Sequence, residues 1–176
     1  MALFQGGLTS RTDFQILLQS FSNFSQGASS THIGDSSALL GFQLLFAKDN
    51  TLIPDVRLTV GQVFPTGKYQ NAQKSKKGTD ITGEGTYQTQ FGLNVQKVFY
   101  PSPLHPLRVR FNLFYTKSTK VSAKNIHFYG GDTDTLDTIG PGDQIQAILA
   151  PEYAINQNWV ITTDILYSRT FKTNIH

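Results

Sequence analysis

Three arginines carry the clearest chemical signal in this sequence. Arg57, Arg108 and Arg110 alternate with apolar residues, a pattern that places them on one face of a β-sheet. Guanidinium groups bind carboxylates through paired hydrogen bonds, so such a row could steer anions or orient a ligand's carboxylate. Acidic residues in similar patterns offer internal partners: Asp13, Asp55, Glu152 and Asp164. The simpler interpretation is that the arginines only neutralise these acids.

Other reactive residue types form no catalytic or metal-binding pattern. His32, His105, His127 and His176 have no paired spacing, so we expect surface histidines rather than metal ligands. The acidic segment "DTDTLD" at 132–137 lacks the spacing of a known calcium loop and predicts a solvated loop. The sequence contains no cysteine and no visible triad. We therefore predict no catalytic residues, no metal and no cofactor.

The residues between these polar positions predict an all-β chain. Alternation with the period of a strand occurs in seven segments: 13–19, 38–46, 55–60, 87–98, 107–115, 144–155 and 158–168. Thirteen Phe, seven Tyr and fifteen Gly also favour strands and turns over helices. We predict one domain over residues 1–176, an antiparallel up-and-down meander.

Each predicted strand has one polar and one apolar face. The polar set is Arg57, Gln88, Gln90, Asn94, Arg108, Arg110, Asn112 and Asp164. The apolar set is Phe91, Leu93, Val95, Val109, Phe111 and Leu113. In a membrane barrel the first set would line a wet lumen and the second would face lipid. In a soluble barrel or sandwich the apolar set would instead form the core.

The connections between the predicted strands alternate in length. The first, third and fifth are long, and the second, fourth and sixth are short, so the long connections fall at one end of the meander. Outer-membrane barrels have short periplasmic turns and long extracellular loops, which favours the membrane interpretation. Aromatic residues near predicted strand ends would suit a membrane interface: Phe64, Tyr87, Phe99, Tyr100, Tyr115, Tyr153, Trp159 and Tyr167.

The overall composition argues against a helical membrane protein and against a nucleic-acid-binding protein. The mean hydropathy is −0.23, and no run approaches the roughly 20 apolar residues that a spanning helix needs. A net charge of +3, much of it from lysines in one loop, makes a nucleic-acid partner improbable. These are Lys68, Lys74, Lys76 and Lys77, for which we expect a solvated loop rather than a site for lipopolysaccharide.

The order of short motifs resembles a known family. "GLTSRTDFQILLQ", "IGDSSALLGFQLLF", "PDVRLTVGQVFPTGKY" and "GEGTYQTQFGLNVQKVF" are similar to the transporter-like outer-membrane family associated with the meta-pathway of phenol degradation. The features that carry this resemblance are Gly7, Leu8, Thr9, Gly34, Asp35, Pro65, Thr66, Gly67, Gly83 and Gly85. "YAINQNWVITTDILYS" is similar to the family's late hairpin.

The resemblance implies a β-barrel in the outer membrane of a Gram-negative bacterium, with outer-membrane lipids and lipopolysaccharide as neighbours. It also implies a porin-like channel for small molecules, including hydrophobic or aromatic ones, and it supplies no catalytic residues. The sequence departs from the family in having no visible signal peptide and no final strand ending in an aromatic residue. Because seven strands cannot close an even-numbered barrel, we expect strands to be missing at one or both ends.

Two alternatives predict different behaviour. A soluble lipocalin-like protein would enclose an apolar ligand with the same apolar side chains and would fold without detergent. A structural surface protein would bind a partner through its long loops while its lumen stays plugged.

Overall fold

The strands whose sequences alternate between polar and apolar residues pair with one another, in their order along the chain, into one large antiparallel sheet. The computed structural model describes residues 1–48, 51–102 and 104–175. Its strands are β1 (Ala2–Gly7), β2 (Thr12–Leu18), β3 (Ser20–Ser25), β4 (Ala28–Ile33), β5 (Ser36–Leu45), β6 (Asp55–Phe64), β7 (Gln88–Ser102), β8 (His105–Ser118), β9 (Val121–Lys124), β10 (Leu136–Gly140), β11 (Gln144–Ala154), β12 (Val160–Thr162), β13 (Ile165–Thr170) and β14 (Asn174–Ile175). A short 3-10 helix covers Lys74–Lys76. The chain is therefore all-β, as predicted.

The large sheet has the order β1-β2-β5-β6-β7-β8-β11-β12, and β13 also pairs with β11. Glu152 pairs with Thr162 in β12 and Leu149 pairs with Ile165 in β13, so one uninterrupted register runs through both short strands. Within the described residues, no strand pairing joins β1 at one edge to β12 and β13 at the other.

One strand of this sheet was not predicted. β1 pairs with β2 from Ala2 opposite Leu18 to Gly7 opposite Asp13. Its sequence "ALFQGG" is short and ends in two glycines, so it lacks the sustained alternation that identifies a strand. The seven predicted strands coincide with the rest of the sheet, with β12 and β13 together replacing the last one.

Long and short connections lie at opposite ends of the large sheet. The connections after β2, β6 and β8 are long, whereas those after β1, β5, β7 and β11 are short. Since consecutive strands of the sheet are antiparallel, all long connections leave from one end. The predicted asymmetry is therefore confirmed, and the turn between β1 and β2 adds a short connection at the expected end.

The long connections build a second layer, which we call the cap: residues 19–35, 65–87, 119–143 and 171–175. It contains the β3–β4 hairpin and the three-stranded sheet β14-β10-β9. Backbone hydrogen bonds join its parts, including Ala72 N to Ile126 O at 3.0 Å and Phe128 N to Tyr69 O at 2.9 Å. The predicted loops are thus an ordered layer over the long-connection end of the sheet.

Apolar burial is concentrated in the cap. Val121, Ala123 and Ile139 form a buried cluster, against which Tyr69 and Tyr129 pack. The large sheet shows the opposite: most of its large apolar side chains are exposed on one face. Elements that position a functional site are therefore fixed by strand pairing and by the cap rather than by a core beneath the sheet.

Candidate functional site

The polar face of the large sheet brings the predicted lumen residues together. Arg57 in β6 lies opposite Asn94 in β7, which lies opposite Asn112 in β8. Because side chains two residues apart share a face, the same face carries Gln88, Gln90, Arg108 and Arg110. Apolar residues also occur on it, including Leu39 and Phe114, so it is a mixed surface with a polar centre.

Arg57 forms an ion pair that crosses a whole strand. Its Nη2 lies 2.5 Å from Oδ1 of Asp13 on β2, although β5 separates the two strands. Asp13 pairs with Gly41 of β5, and a Cβ at Gly41 would collide with the Arg57 guanidinium. The glycine therefore leaves the space in which the arginine reaches across β5.

A second charge cluster lies on the other side of the face. Glu152 of β11 is directly opposite Arg108 of β8, with Oε2 3.3 Å from the arginine Nη1. Its Oε1 accepts a hydrogen bond from Nη2 of Arg110. One carboxylate thus serves two guanidinium groups, which leaves an excess of positive charge at this point.

The other two acids behave differently from the expectation. Oδ1 of Asp55 accepts a hydrogen bond from the Ala47 N–H at 2.9 Å, at the short-connection end. Asp164 lies in the break between β12 and β13, where the register places it opposite Ala150 on the polar face. No ion pair to Asp55 or Asp164 occurs in the part of the chain that the structure describes.

Between the two charge clusters lies a cavity of about 480 Å³. Its lining is Gln43, Phe46, Asp55, Arg57, Asn94, Val95, Gln96, Arg110 and Asn112. Amide side chains form the floor, with an arginine at each side. A cavity of this volume is in the range that binds small molecules, and amides and guanidinium groups would fix a polar ligand by hydrogen bonds.

The predicted lipid-facing residues lie together on the opposite face. One cross-strand row contains Val95, Phe111 and Leu149, and a parallel row contains Phe42, Leu58, Leu93 and Leu113. Val109 lies on the same face, opposite Lys97 and Pro151. Exposure is high for side chains of this kind: 60% for Leu40, 50% for Phe91 and 39% for Phe111. That this face meets lipid stays a prediction.

A charged side chain on this apolar face extends to the short-connection end of the sheet. Lys97 of β7 sends its Nζ to the carbonyl oxygens of Lys48 and Ile53, at 2.8 and 3.0 Å, in the short connection between β5 and β6. Aromatic rings occur near the same end, where Tyr153 stacks on His105. Tyr167 departs from the prediction: it lies in the middle of the sheet, opposite Ala147 in the row of Leu113.

Three of the motifs that carry the family resemblance meet at the boundary between sheet and cap. The Asp35 carboxylate accepts hydrogen bonds from Gly67 N and Glu84 N, both at 2.9 Å. A Cβ at Gly67 would lie 2.8 Å from the Gly83 Cα, so the two backbones approach too closely for larger residues. Asp35 therefore ties two ends of the 65–87 connection over the end of the polar face.

Beneath this junction a smaller cavity of about 280 Å³ separates the cap from the polar face. Asp35, Glu84, Gln88 and Phe128 contribute to its lining, and Gln88 Nε2 donates to Glu84 Oε2 at 2.6 Å. Burial of the Glu84 carboxyl raises its pKa, opposed by the hydrogen bond from Gln88. The polar face is thus acidic where it meets the cap and rich in arginine near its middle.

The lysine cluster lies in the cap, where its amines contact acids and carbonyl oxygens. Lys68 Nζ lies 2.5 Å from Oδ2 of the buried Asp80, and Lys74 pairs with Asp132. The amines of Lys76 and Lys77 bind carbonyl oxygens of the β3–β4 hairpin, those of Ser29 and Gln26. The expectation of a solvated loop holds for Lys74 and Lys77, which are exposed, whereas Lys68 pairs with a buried acid. The amines of Lys76 and Lys77 also join the 65–87 connection to the hairpin.

His127 also departs from the expectation of surface histidines. It is 3% exposed, and its Nε2 lies 3.1 Å from Oδ2 of Asp137. Nearby, burial and the negative charge of Glu84 raise the pKa of Tyr129 to about 12. Asp137 belongs to the segment 132–137, so only part of that segment is a solvated loop. His176 lies outside the described residues.

Two features are absent from the described residues. In 1–48, 51–102 and 104–175, no three His, Cys, Asp or Glu side chains group as metal ligands would. No helix in these ranges has the length and apolar character needed to cross a membrane. Neither a protein-family model nor a curated protein matches the sequence.

Proposed function

We propose that this chain forms the wall of a β-barrel in the outer membrane of a Gram-negative bacterium and acts as a porin-like channel for small molecules. The observation that carries the proposal is the division between the faces of the large sheet. Ion pairs and amides share one face, whereas exposed Leu, Val and Phe side chains cover the other. Exposed apolar area of this extent is typical of a surface in contact with lipid or another protein.

Dimensions of the apolar face support the proposal. Six neighbouring strands, β5, β6, β7, β8, β11 and β13, carry its central row. At about 4.8 Å between strands the row is roughly 24 Å wide. Along β8 the apolar side chains run from Leu107 to Tyr115, nine residues that span about 27 Å at the rise of an antiparallel strand. A strand that crosses the membrane at a tilt of about 45° needs about 9 to 11 residues, so the apolar stretch of β8 has the length at the lower end of this range.

The proposal assigns roles to the site residues. Gln88, Gln90, Asn94 and Asn112 would line the lumen together with Arg57, Arg108, Arg110 and Asp164. Phe91, Leu93, Val95, Val109, Phe111 and Leu113 would face lipid. The cap would cover the extracellular mouth, and the family resemblance adds hydrophobic or aromatic molecules to the candidate solutes. Closure of the barrel requires the two sheet edges to be joined, by each other or by further strands.

Reconstitution tests the function directly. The protein is folded into liposomes, and entry of small solutes is followed by liposome swelling, with empty liposomes as the blank. We expect solute entry and a gel mobility that changes on heating. Liposomes that contain folded protein but admit no solute would remove the transport claim.

One observation favours a second function. An apolar groove of about 420 Å³ lies between Phe14, Ile16, Leu40 and Val60 on the outer face. A soluble lipocalin-like protein that encloses an apolar ligand could use such a surface. If the purified chain is folded and monomeric without detergent, this alternative replaces the channel.

A further inference from the structure

The cavity of about 480 Å³ lies between two arginines that are held from outside it. Arg57 is anchored to Asp13 on the β2 side, and Arg110 is anchored to Glu152 on the β11 side. Ion pairing fixes a guanidinium group and so reduces the entropy lost when it binds a ligand. The ion pairs with Asp13 and Glu152 thus hold the guanidinium groups of Arg57 and Arg110 in place at the two sides of the cavity.

Polar groups of the cavity are incompletely used by the protein. Each of these two arginines donates side-chain hydrogen bonds to the described residues only through Nη2, and the Nε of each is buried without a partner. Across the floor, the amides of Gln96 and Asn112 make no side-chain hydrogen bond within the described residues, although both are half-buried. A polar ligand in the cavity can hydrogen-bond to these half-buried amides and to the Nη1 groups, which donate to no described residue.

Charge is distributed unevenly across the cavity. Among the described residues, Arg108 and Arg110 pair with one acid, Glu152, so the β8 side carries excess positive charge. Asp55 lies in the same cross-strand row, separated from Arg110 by Gln96. Two strand spacings, about 10 Å, therefore separate a positive side from a negative side. A matching ligand has an anionic end and, several atoms away, groups that donate hydrogen bonds.

We propose that this cavity binds a small hydroxylated carboxylate, such as a sugar acid. Its carboxylate lies against Arg110, where the guanidinium fork matches the two oxygens. Its hydroxyl groups exchange hydrogen bonds with Asn94, Asn112 and Gln96 and donate to Asp55. The inference rests on the proposed channel, because it names the solute class that the lumen would select.

Calorimetric titration of the full chain, folded in detergent, tests the site with gluconate as the probe. Gluconamide has the same size and hydroxyl groups but no charge, so we expect it to bind at least about tenfold more weakly. Arg110→Gln should weaken gluconate binding by about tenfold or more. Arg110→Lys should recover only part of the loss, because an ammonium group cannot form the paired contact.

Two further variants separate the site from general effects of charge and folding. Arg169→Gln removes the same charge from the opposite face, where Arg169 lies over Phe171, and should leave binding unchanged. Glu152→Gln keeps an amide oxygen that can accept the hydrogen bond from Arg110 but removes the competing negative charge, so it should tighten binding, a result that a misfolded protein cannot give. Equal affinity for gluconate and gluconamide, or equal losses in Arg110→Gln and Arg169→Gln, would overturn the proposal.

Liposome flux distinguishes failure of this site from failure of the channel. If gluconate binds but no solute crosses, the channel is wrong and the binding site stands. If solutes cross but gluconate does not bind, the site is wrong and the channel stands. If gluconate neither binds nor crosses, the proposed ligand class is wrong, and entry of other solutes decides the channel.

Discussion

Placing a charge on either side of β8 tests the orientation of the whole sheet. Phe111 and Asn112 are neighbours at the middle of this 14-residue strand and lie on opposite faces. Phe111 has the apolar neighbours Val95 and Leu149 across the two adjacent strands, whereas Asn112 lies opposite Asn94. Phe111→Arg and Asn112→Arg therefore add the same side chain at almost the same depth.

The expected costs differ because the two faces differ in solvent. An arginine on the lipid face at the bilayer midplane costs about 2 to 4 kcal/mol of unfolding free energy. On the wet face, the main new term is repulsion from Arg110, two residues along the strand. At about 7 Å and the dielectric constant of water, this repulsion is about 0.6 kcal/mol. Phe111→Arg should therefore be the more destabilising by roughly 1 to 3 kcal/mol.

A position at a different depth in the bilayer provides the control that distinguishes contact with lipid from burial in a protein core. Phe99 lies on the same face as Phe111 but near the short-connection end, opposite Leu107. Phe99→Arg should cost only about 0 to 1 kcal/mol if the face meets lipid, since the penalty falls towards the interface.

Urea unfolding in lipid vesicles, followed by fluorescence of the single tryptophan, Trp159, measures all three variants. Equal costs for Phe111→Arg and Asn112→Arg would refute the assignment of faces. Equal costs for Phe111→Arg and Phe99→Arg would refute the lipid contact and favour a soluble core.

Further predictions concern the ion pair across β5 and the cap. Gly41→Ala should cost about 0.5 to 1 kcal/mol by displacing the Arg57 guanidinium and weakening its part-exposed ion pair with Asp13. Gly7→Ala, which has open space, should stay below about 0.5 kcal/mol in the same urea assay; similar costs would contradict the steric argument. Asp35→Ala should speed amide hydrogen exchange in the 65–87 connection, and unchanged exchange would show that the carboxylate does not hold it. Burial raises the pKa of Asp80, but hydrogen bonds outweigh burial and lower it below 3.8. Its contribution to cap stability is therefore present above pH 3.8 and lost as the pH falls through the folded-state pKa. Protection factors of the cap amides, which remove the intrinsic effect of pH on exchange, should fall with this loss, and Asp80→Asn should reduce the fall. A pH profile of the protection factors that is the same in Asp80→Asn would contradict the role of Asp80.

Period-two alternation was sufficient to group the residues by face. Arg57, Asn94 and Asn112 were assigned to one face from their segments alone, and the register aligns them in a single row. Such alignment follows from local pattern because each strand repeats every two residues. The orientation of that face towards a lumen remains a prediction.

Contacts between distant segments could not be read in the same way. Arg57 reaches Asp13 because Gly41 of an intervening strand leaves room, a relation between three segments that appears only once the register is known. His127 is buried, with its Nε2 3.1 Å from Asp137 Oδ2 and its ring against Gly131, so its burial depends on residues later in the chain. No alternation within the segment around His127 signals this burial.

The distribution of burial has a thermodynamic consequence for the sheet. Among the described residues, the buried apolar side chains are Val121, Ala123, Ile139 and Ala150, and the first three lie in the cap. Burial of apolar area is the main favourable term in folding, at about 25 cal/mol per Å², and the apolar face of the sheet gains little of it from the chain itself. An apolar face of this extent is typical of a surface that contacts lipid or another protein. If lipid covers it, the sheet should fold only when detergent or a bilayer is added, while the cap, with its own buried cluster and ion pairs, sets the geometry of the mouth.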